Sequence, residues 1–584
     1  MKSLISLIVL FGTNAACSYG ASSCQTVNQP ATSDIPCTNG PSTRACWKDG
    51  FSIDTDFDTQ FPITGNTVSY YLKLTNTTCN PDGHGERVCL LVNDQYPGPT
   101  IRASWGDIVQ VTVENALQHN GTSIHFHGVR QFNSNGEDGV NGVTECALAP
   151  NHTKTYTFQA TQFGTGWYHS HFSDQYGDGV IGPIVFEGPA SANYDIDLGP
   201  YMLNEWYYMT TFQASSLALA NLQNPNPGPA QAPPISNNIL INGTNKDAEG
   251  NGKYNQVSIV AGKRYLLRLI NSSVDQFFRV SLDNHTMQVV AADFCPVKPV
   301  YTKTLLMNVA QRYDVIIDAN QPPGNYWFRV SSATECVSLN HGQGLAVWTY
   351  EGVEPQTPTT TGNPTEGGCV EPSYLAPYWD QPVPSSSFAS TAQTLNVSLT
   401  NQVITNGGDS VFVWALGNSS LNLDLGQPTL SYIMDGNSNY PNEYNVIPTV
   451  SEGGWNYWIV QQTARSPPIP HPVHLHGHDF FVLGQGIGEF DISGAQLNWD
   501  TPVRRDTATM PAGGWLALAF TSDNPGAWLM HCHTSFHVSE GFAIQFLESP
   551  SRILMPNRTA YDQVCNAWKE YRPTAYYKKV DSGV

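Results

Sequence analysis

Gly526-Ala-Trp-Leu-Met-His-Cys-His533 has two counterparts earlier in the chain, Gly164-Thr-Gly-Trp-Tyr-His-Ser-His171 and Gly324-Asn-Tyr-Trp-Phe-Arg-Val-Ser331, and the three align without gaps. Each opens on a glycine and runs into aromatic residues, the composition of a buried strand. The starts lie 160 and 202 residues apart, the spacing of whole domains rather than of short solenoid repeats. A second element recurs in the same order: His125-Phe-His-Gly128 ahead of the first copy and His474-Leu-His-Gly477 ahead of the third. The middle copy lacks histidines at these places. The expectation is an all-β chain of three related β-sandwich domains, in which the outer two carry the histidines and the middle one is a spacer.

Bulk composition agrees. A chain of 584 residues is too long for one ordinary domain. With 40% hydrophobic and 13% charged residues, rich in Gly, Pro, Tyr and Trp, it fits a large, loop-rich β protein. A net charge of −21 argues against nucleic acid or an anionic membrane as partner. Lys2, the apolar run Leu4 to Phe11 and the small residues Ala15, Ala16, Gly20 and Ala21 read as a signal peptide over 1–20. That run is too short to span a bilayer, and no later stretch reaches the ~18–20 apolar residues required. Nine N-x-S/T sequons, at Asn76, Asn120, Asn151, Asn242, Asn271, Asn284, Asn396, Asn418 and Asn557, fit a secreted, extracellular glycoprotein. The expected division is a pro-segment over 21–36, domains over 37–195, 196–354 and 385–584, and a linker over 355–384. The linker is rich in Pro, Thr and Gly and includes Pro358-Thr-Thr-Thr361.

Strand parity separates the metal-binding side chains into two groups. Alternate residues of a strand face opposite ways, so His531 and His533 leave one face and Cys532 the other. His125 and His127, His169 and His171, and His474 and His476 are likewise paired at even spacing. His471 is three residues before His474 and faces the other way. His537 is five residues after Cys532, far enough for the chain to turn and present its ring to the same metal. One thiolate with two imidazoles is the blue-copper arrangement. Structural zinc would favour a pair of closely spaced cysteines with a pair of spaced histidines, and no such cysteine pair is present. His84, His119, His152, His285 and His341 are read as ordinary histidines, and His478 as a support for the cluster rather than a ligand.

The four motifs, H-x-H-G, W-Y-H-S-H, H-P-x-H-L-H-G-H and H-C-H-x₃-H-x₃-G-F, resemble those of the laccase branch of the multicopper oxidases, over essentially the whole mature chain. The resemblance implies cupredoxin-like Greek-key domains and four copper ions. By motif, His471, Cys532 and His537 would hold a type 1 copper, and His125 and His474 a type 2 copper. His127, His169, His171, His476, His531 and His533 would hold a type 3 pair. Ser170 replaces the cysteine in the first domain, and Arg329, Val330 and Ser331 stand at the His-Cys-His places of the second, so neither should hold a blue copper. The implied activity is one-electron oxidation of phenolic and related aromatic substrates, coupled to four-electron reduction of dioxygen to water. Ascorbate oxidases usually carry an axial methionine where this chain has Phe542, and fungal ferroxidases add acidic iron ligands and a membrane anchor. A pure electron-transfer protein would not need ten histidines.

The same resemblance assigns further residues. Phe542, ten residues after Cys532, would face the axial position of the type 1 copper without coordinating it, which implies a more oxidising site than a methionine-ligated one. Asp138 matches an acid that laccases place near the type 2 copper. Asp275 matches a carboxylate that binds the phenolic hydroxyl beside His537. The ending Asp581-Ser-Gly-Val584 is similar to the C-terminal plug of ascomycete-type laccases, and the same analogy implies disulfides Cys37–Cys46, Cys146–Cys565 and Cys336–Cys369. Cys79–Cys89 is expected from proximity alone. Cys17 and Cys24 are expected to leave with the N-terminal segments, and Cys295 to be free. No membrane anchor and a monomer are expected.

Overall fold

The computed structural model describes residues 37–226, 229–363, 367–403, 410–576 and 578–584; the expected signal peptide and pro-segment lie outside them. Strands dominate, and they form six sheets that pair into three sandwiches, each built from one continuous stretch of chain. In every sandwich one sheet begins with a long strand parallel to a second one. These are Thr67–Cys79 on Ile108–Ala116, Ile196–Trp206 on Arg264–Asn271, and Gln393–Val403 on Trp455–Gln462. The fold is cupredoxin-like three times over.

The repeated octapeptide occupies the same place each time. Gly164–Ser170 lies between Ile181–Glu187 and Ile124–His127. Asn325–Ser332 lies between Gln343–Tyr350 and Phe278–Leu282, and Gly526–Cys532 between Ala543–Glu548 and His471–Leu475. What the copies bury differs. Ile108–Ala116 alternates buried and half-buried residues, as a strand with one solvated face should. Gly164–Ser170 and Gly526–Cys532 are buried at every position, because one face joins the sandwich core and the other a neighbouring sandwich. Asn325–Ser332 keeps a half-solvated face. Arg329 there is spent on Asp283, with Nε to Oδ1 at 2.8 Å, and Val330 is in the core.

The segment expected as a linker is pinned at several points. Trp379 meets Phe57 edge-on at 5.0 Å and donates from Nε1 to the Ile53 carbonyl at 2.8 Å. Glu371 Oε1 accepts from Thr509 N and Oγ1, each at 2.8 Å. Disulfides join Cys37–Cys46, Cys79–Cys89, Cys146–Cys565 and Cys336–Cys369. Cys146–Cys565 ties the helix Arg558–Tyr571 to the first sandwich. Cys295 and Cys532 are free and buried. One sequon is unusable in the folded chain: Asn271 is buried and donates to the Gln276 and Met307 carbonyls. Among the described residues no helix is long and apolar enough to cross a membrane.

Candidate metal centres

Cys532 ends its strand, and the chain turns directly into the short helix Ser535–Ser539. His537 N–H donates back to the Thr534 carbonyl at 3.0 Å, and that single turn returns the His537 ring to the thiol. His471 approaches from the first position of the adjacent strand. Cys532 Sγ lies 3.6 Å from His471 Nδ1 and 3.4 Å from His537 Nδ1, and the two nitrogens are 3.2 Å apart. Trp414 closes over both rings, at 5.0 and 4.7 Å between centroids, and Phe542 packs on His471 at 4.9 Å. Burial lowers His537 to about 3 and, with His537 beside it, holds His471 well below the ordinary imidazole range. Burial drives the Cys532 thiol strongly upward. Two neutral imidazoles and a thiol that resists ionisation in an apolar shell are a donor set completed by a soft cation.

On the other face of the strand eight imidazoles converge. His127, His169 and His533 form one cluster with ligand atoms all within 4.8 Å of one another, and His171, His476 and His531 form a second. His125, with His127 and His474, completes a third grouping. His127 Nδ1 faces His533 Nε2 at 3.2 Å, and His476 Nε2 faces His531 Nε2 at the same distance. Nε2 of His125, His169 and His474, and both ring nitrogens of His171, are buried without a hydrogen bond. Each such group costs about 1–3 kcal/mol unless something fills its lone pair. The opposite nitrogens are tied down, as those of metal-bound histidines are. Nδ1–H donates to the Asp138 carbonyl from His125 at 2.8 Å, to Ser170 O from His169 at 2.9 Å, to Asp506 O from His474 at 2.8 Å and to Cys532 O from His531 at 2.9 Å. Orphaned nitrogens pointing inward and anchored ones outward fit copper.

Asp138 is fully buried, with Oδ2 2.9 Å from His476 Nδ1 and Oδ1 3.2 Å from His125 Nδ1. The next residue has to be glycine: Gly139 has φ +79°, and a Cβ there would lie 1.8 Å from the Ile124 carbonyl oxygen. Asp275 is on a loop whose Val274 carbonyl accepts the Ser535 N–H at 2.8 Å, two residues before His537; its side chain makes no direct hydrogen bond to His537. Asp581 accepts from Ser173 Oγ, while Ser582 and Val584 are buried. His478 stays outside the clusters and pairs with Glu548 at 3.1 Å.

The motif reading did not single out Asp506, Thr507 or Arg312. Asp506 Oδ1 lies 3.2 Å from His127 Nε2, and Thr507 Oγ1 is 3.2 Å from His474 Nδ1. Burial raises Asp506, but the Arg312 guanidinium, at 2.7 and 2.5 Å, more than reverses this and holds it well below the usual carboxylate range. Arg312 belongs to the middle sandwich and also donates to the Thr165 carbonyl of the first at 3.0 Å. The expectation of a mere spacer is therefore corrected: the middle sandwich braces the cluster. Gly128, which closes the H-x-H-G motif, has φ +82°, and a Cβ there would meet Arg312 Nη2 at 2.2 Å. The one local signal is Arg504-Arg505-Asp506, a run of charge directly ahead of the strand Thr507–Met510.

Three family models, each described as multicopper oxidase, match residues 73–191, 198–353 and 402–552. The laccase of Neurospora crassa is 43% identical over 571 residues, covering 94% of this chain and 89% of that one. Laccase-1 of Melanocarpus albomyces is 43% identical over 573 residues, covering 94% and 90%. Among solved structures, the laccase from Botrytis aclada superposes with a TM-score of 0.86 at 40% identity, covering 94% of this chain and all of that one. Fet3p, a multicopper oxidase that functions in iron import, shares the fold, with a TM-score of 0.76 at 24% identity over 86% and 95% of the two chains. Inward-facing buried nitrogens, a thiol whose peptide neighbours enter the histidine clusters and these relatives lead to one assignment: the chain belongs to the multicopper oxidases, and within them to the laccases of ascomycete type.

Proposed function

We propose that His471, Cys532 and His537 hold the type 1 copper and that His125 and His474 hold the type 2 copper. The His127–His169–His533 and His171–His476–His531 clusters would hold the type 3 pair. The chain is a laccase, and as a multicopper oxidase it takes one type 1, one type 2 and two type 3 coppers. When bound, the coppers supply one-electron oxidation of phenolic substrates at the first site and four-electron reduction of dioxygen to water at the others. The observation that carries the ligand reading is the alternation at His531-Cys532-His533. Cys532 faces one centre, and its peptide neighbours enter the two type 3 clusters, so a few covalent bonds connect the substrate side to the oxygen side.

The remaining residues act around that joint. Phe542 and Trp414 pack on the His471 and His537 rings and would keep water from the thiol, and neither side chain could coordinate a copper held there. Asp275 is placed to take the proton of a phenol. The Asp138 Oδ1 atom, buried without a hydrogen bond, is placed to hold a proton beside His125 and His476. The domain division 37–195, 196–354 and 385–584 is part of the same reading, as are secretion and a monomeric state. Six sequons, at Asn76, Asn151, Asn284, Asn396, Asn418 and Asn557, are exposed, which supports a glycosylated product. Oxygen uptake by the copper-loaded protein with a methoxyphenol, ferrous iron and ascorbate tests the assignment. Fast turnover of the phenol is expected, and turnover of iron or ascorbate alone would reject it.

Asp581–Val584 is proposed as a plug. Ser582 Oγ donates to the Val538 carbonyl and Asn141 Nδ2 to the Gly583 carbonyl, each at 2.7 Å, and Asn141 in turn accepts from Ser123 Oγ, next to the histidine strand. Removing the last four residues should change kcat by about ten-fold with little change in phenol KM. Steady-state kinetics check this; a change confined to KM would place the tail at the substrate site instead.

A further inference from the structure

Glu205 is a buried acid, 5% exposed, near the end of the strand Ile196–Trp206. Its role in the site rests on the reading of Asp275 as the phenol-binding carboxylate. One oxygen of Glu205, Oε1, accepts two consecutive backbone N–H groups, from Val274 at 2.9 Å and from Asp275 at 2.6 Å. The other, Oε2, lies 3.3 Å from the Tyr207 hydroxyl. The backbone N–H of Glu205 donates to Ser273 Oγ at 3.3 Å. A single residue thus fixes three successive positions of the loop that carries Asp275.

The same loop reaches the third sandwich. The Val274 carbonyl accepts the N–H of Ser535 at 2.8 Å, the first residue of the helix that carries His537. The Tyr176 hydroxyl donates to the carbonyls of Ser273 at 3.2 Å and His533 at 3.4 Å. Hydrogen bonds therefore run without a break from the Glu205 carboxyl, through the Asp275 loop, to the backbone between Cys532 and His537. The ionisable groups facing Glu205 are Asp275, Tyr207 and Tyr176, and among the described residues no Lys, Arg or His forms an ion pair with Glu205 or Asp275. Two neighbouring buried carboxyl groups without a cation oppose each other's ionisation. Burial, and then Asp275, holds Glu205 well above the usual carboxylate range. The Glu205 carboxyl accepts three hydrogen bonds here, two from backbone N–H groups and one from the Tyr207 hydroxyl.

We propose that Glu205 is a positioning residue for phenol oxidation, its carboxyl holding Val274 and Asp275 so that the Asp275 carboxylate keeps a fixed place beside the His537 helix. Glutamine reproduces the acceptor without the charge, and alanine removes it. The readout is the ratio of kcat/KM for 2,6-dimethoxyphenol to that for ferrocyanide, which carries no hydroxyl proton, with the blue absorption followed in parallel. Glu205→Ala should lower this ratio about ten-fold through the phenol KM, with the blue band retained, and Glu205→Gln should restore it to within about three-fold. Asp275→Asn separates the two claims. If it lowers the ratio while Glu205→Ala does not, the positioning role is overturned and the phenol reading stands. If Asp275→Asn leaves the ratio unaltered, the phenol reading itself falls. A Glu205→Gln protein as impaired as Glu205→Ala, or a Glu205→Ala protein that loses the blue band, would also overturn the proposal.

Discussion

Cys532→Ser is expected to abolish the blue colour and to slow turnover of every reducing substrate by on the order of a thousand-fold, while the copper of the histidine clusters stays bound. Cys532 is fully buried, and its Sγ is the only sulfur in the site formed with His471 and His537. A serine hydroxyl is a hard, neutral donor on a shorter bond, so it cannot replace a soft thiolate. The rest of the strand should be indifferent to the change. Its register with the neighbouring strand, Val473 opposite Cys532 and His474 opposite His531, is made by the backbone, as is the bond from Cys532 N–H to the Phe542 carbonyl at 3.2 Å. Visible absorption, copper content and oxygen uptake on one preparation check the outcome. A persisting blue band would refute the ligand assignment, and loss of all the copper would refute the separation of the two faces.

Arg312→Met should be the most damaging change outside the ligand set. Arg312, Asp293, Arg505 and Asp506 are each 2% exposed or less. Arg312 holds both oxygens of Asp506 and lies 3.5 Å from Asp293 Oδ1. Methionine fills much of the volume but leaves Asp506 short of its closest cation, a loss of about 3–5 kcal/mol when a buried pair is broken. Asp506 would then take up a proton or turn away, and in either case His127 and His474 lose the partner that orients them. The expected result is a fall of about three degrees in thermal midpoint together with loss of copper from the histidine clusters. Arg329→Met is the comparison. Its pair with Asp283 is also strong, but it lies inside the middle sandwich, with the arginine side chain 19% exposed. That change should weaken stability by less and leave copper content intact. Equal copper loss in both proteins would mean that Arg312 acts only through general stability.

Much of the site was legible because strand parity is a local property. The alternation in His531-Cys532-His533 places thiol and imidazoles on opposite faces whatever the strand packs against, and even spacing pairs the other histidines in the same way. The threefold octapeptide foretold three sandwiches, since each copy had to serve as the same buried strand of a similar core. Even the Ser170 and Arg329 replacements could be read position by position.

The relations across sandwiches could not be read. Nothing local says that His127 joins His169 and His533 while His171 joins His476 and His531, because that division depends on how two distant sandwiches meet. Asn271 reads as a glycosylation site until its side chain is seen buried against the Gln276 and Met307 carbonyls. Arg312 and Glu205 belong to none of the four motifs. By itself the sequence determined which residues could bind metal, on which face of their strands, and in how many repeated units. Tertiary structure alone decided which of them share a centre and which buried charges brace it, because those facts arise where surfaces hundreds of residues apart exclude water together and every charge caught between them must find a partner.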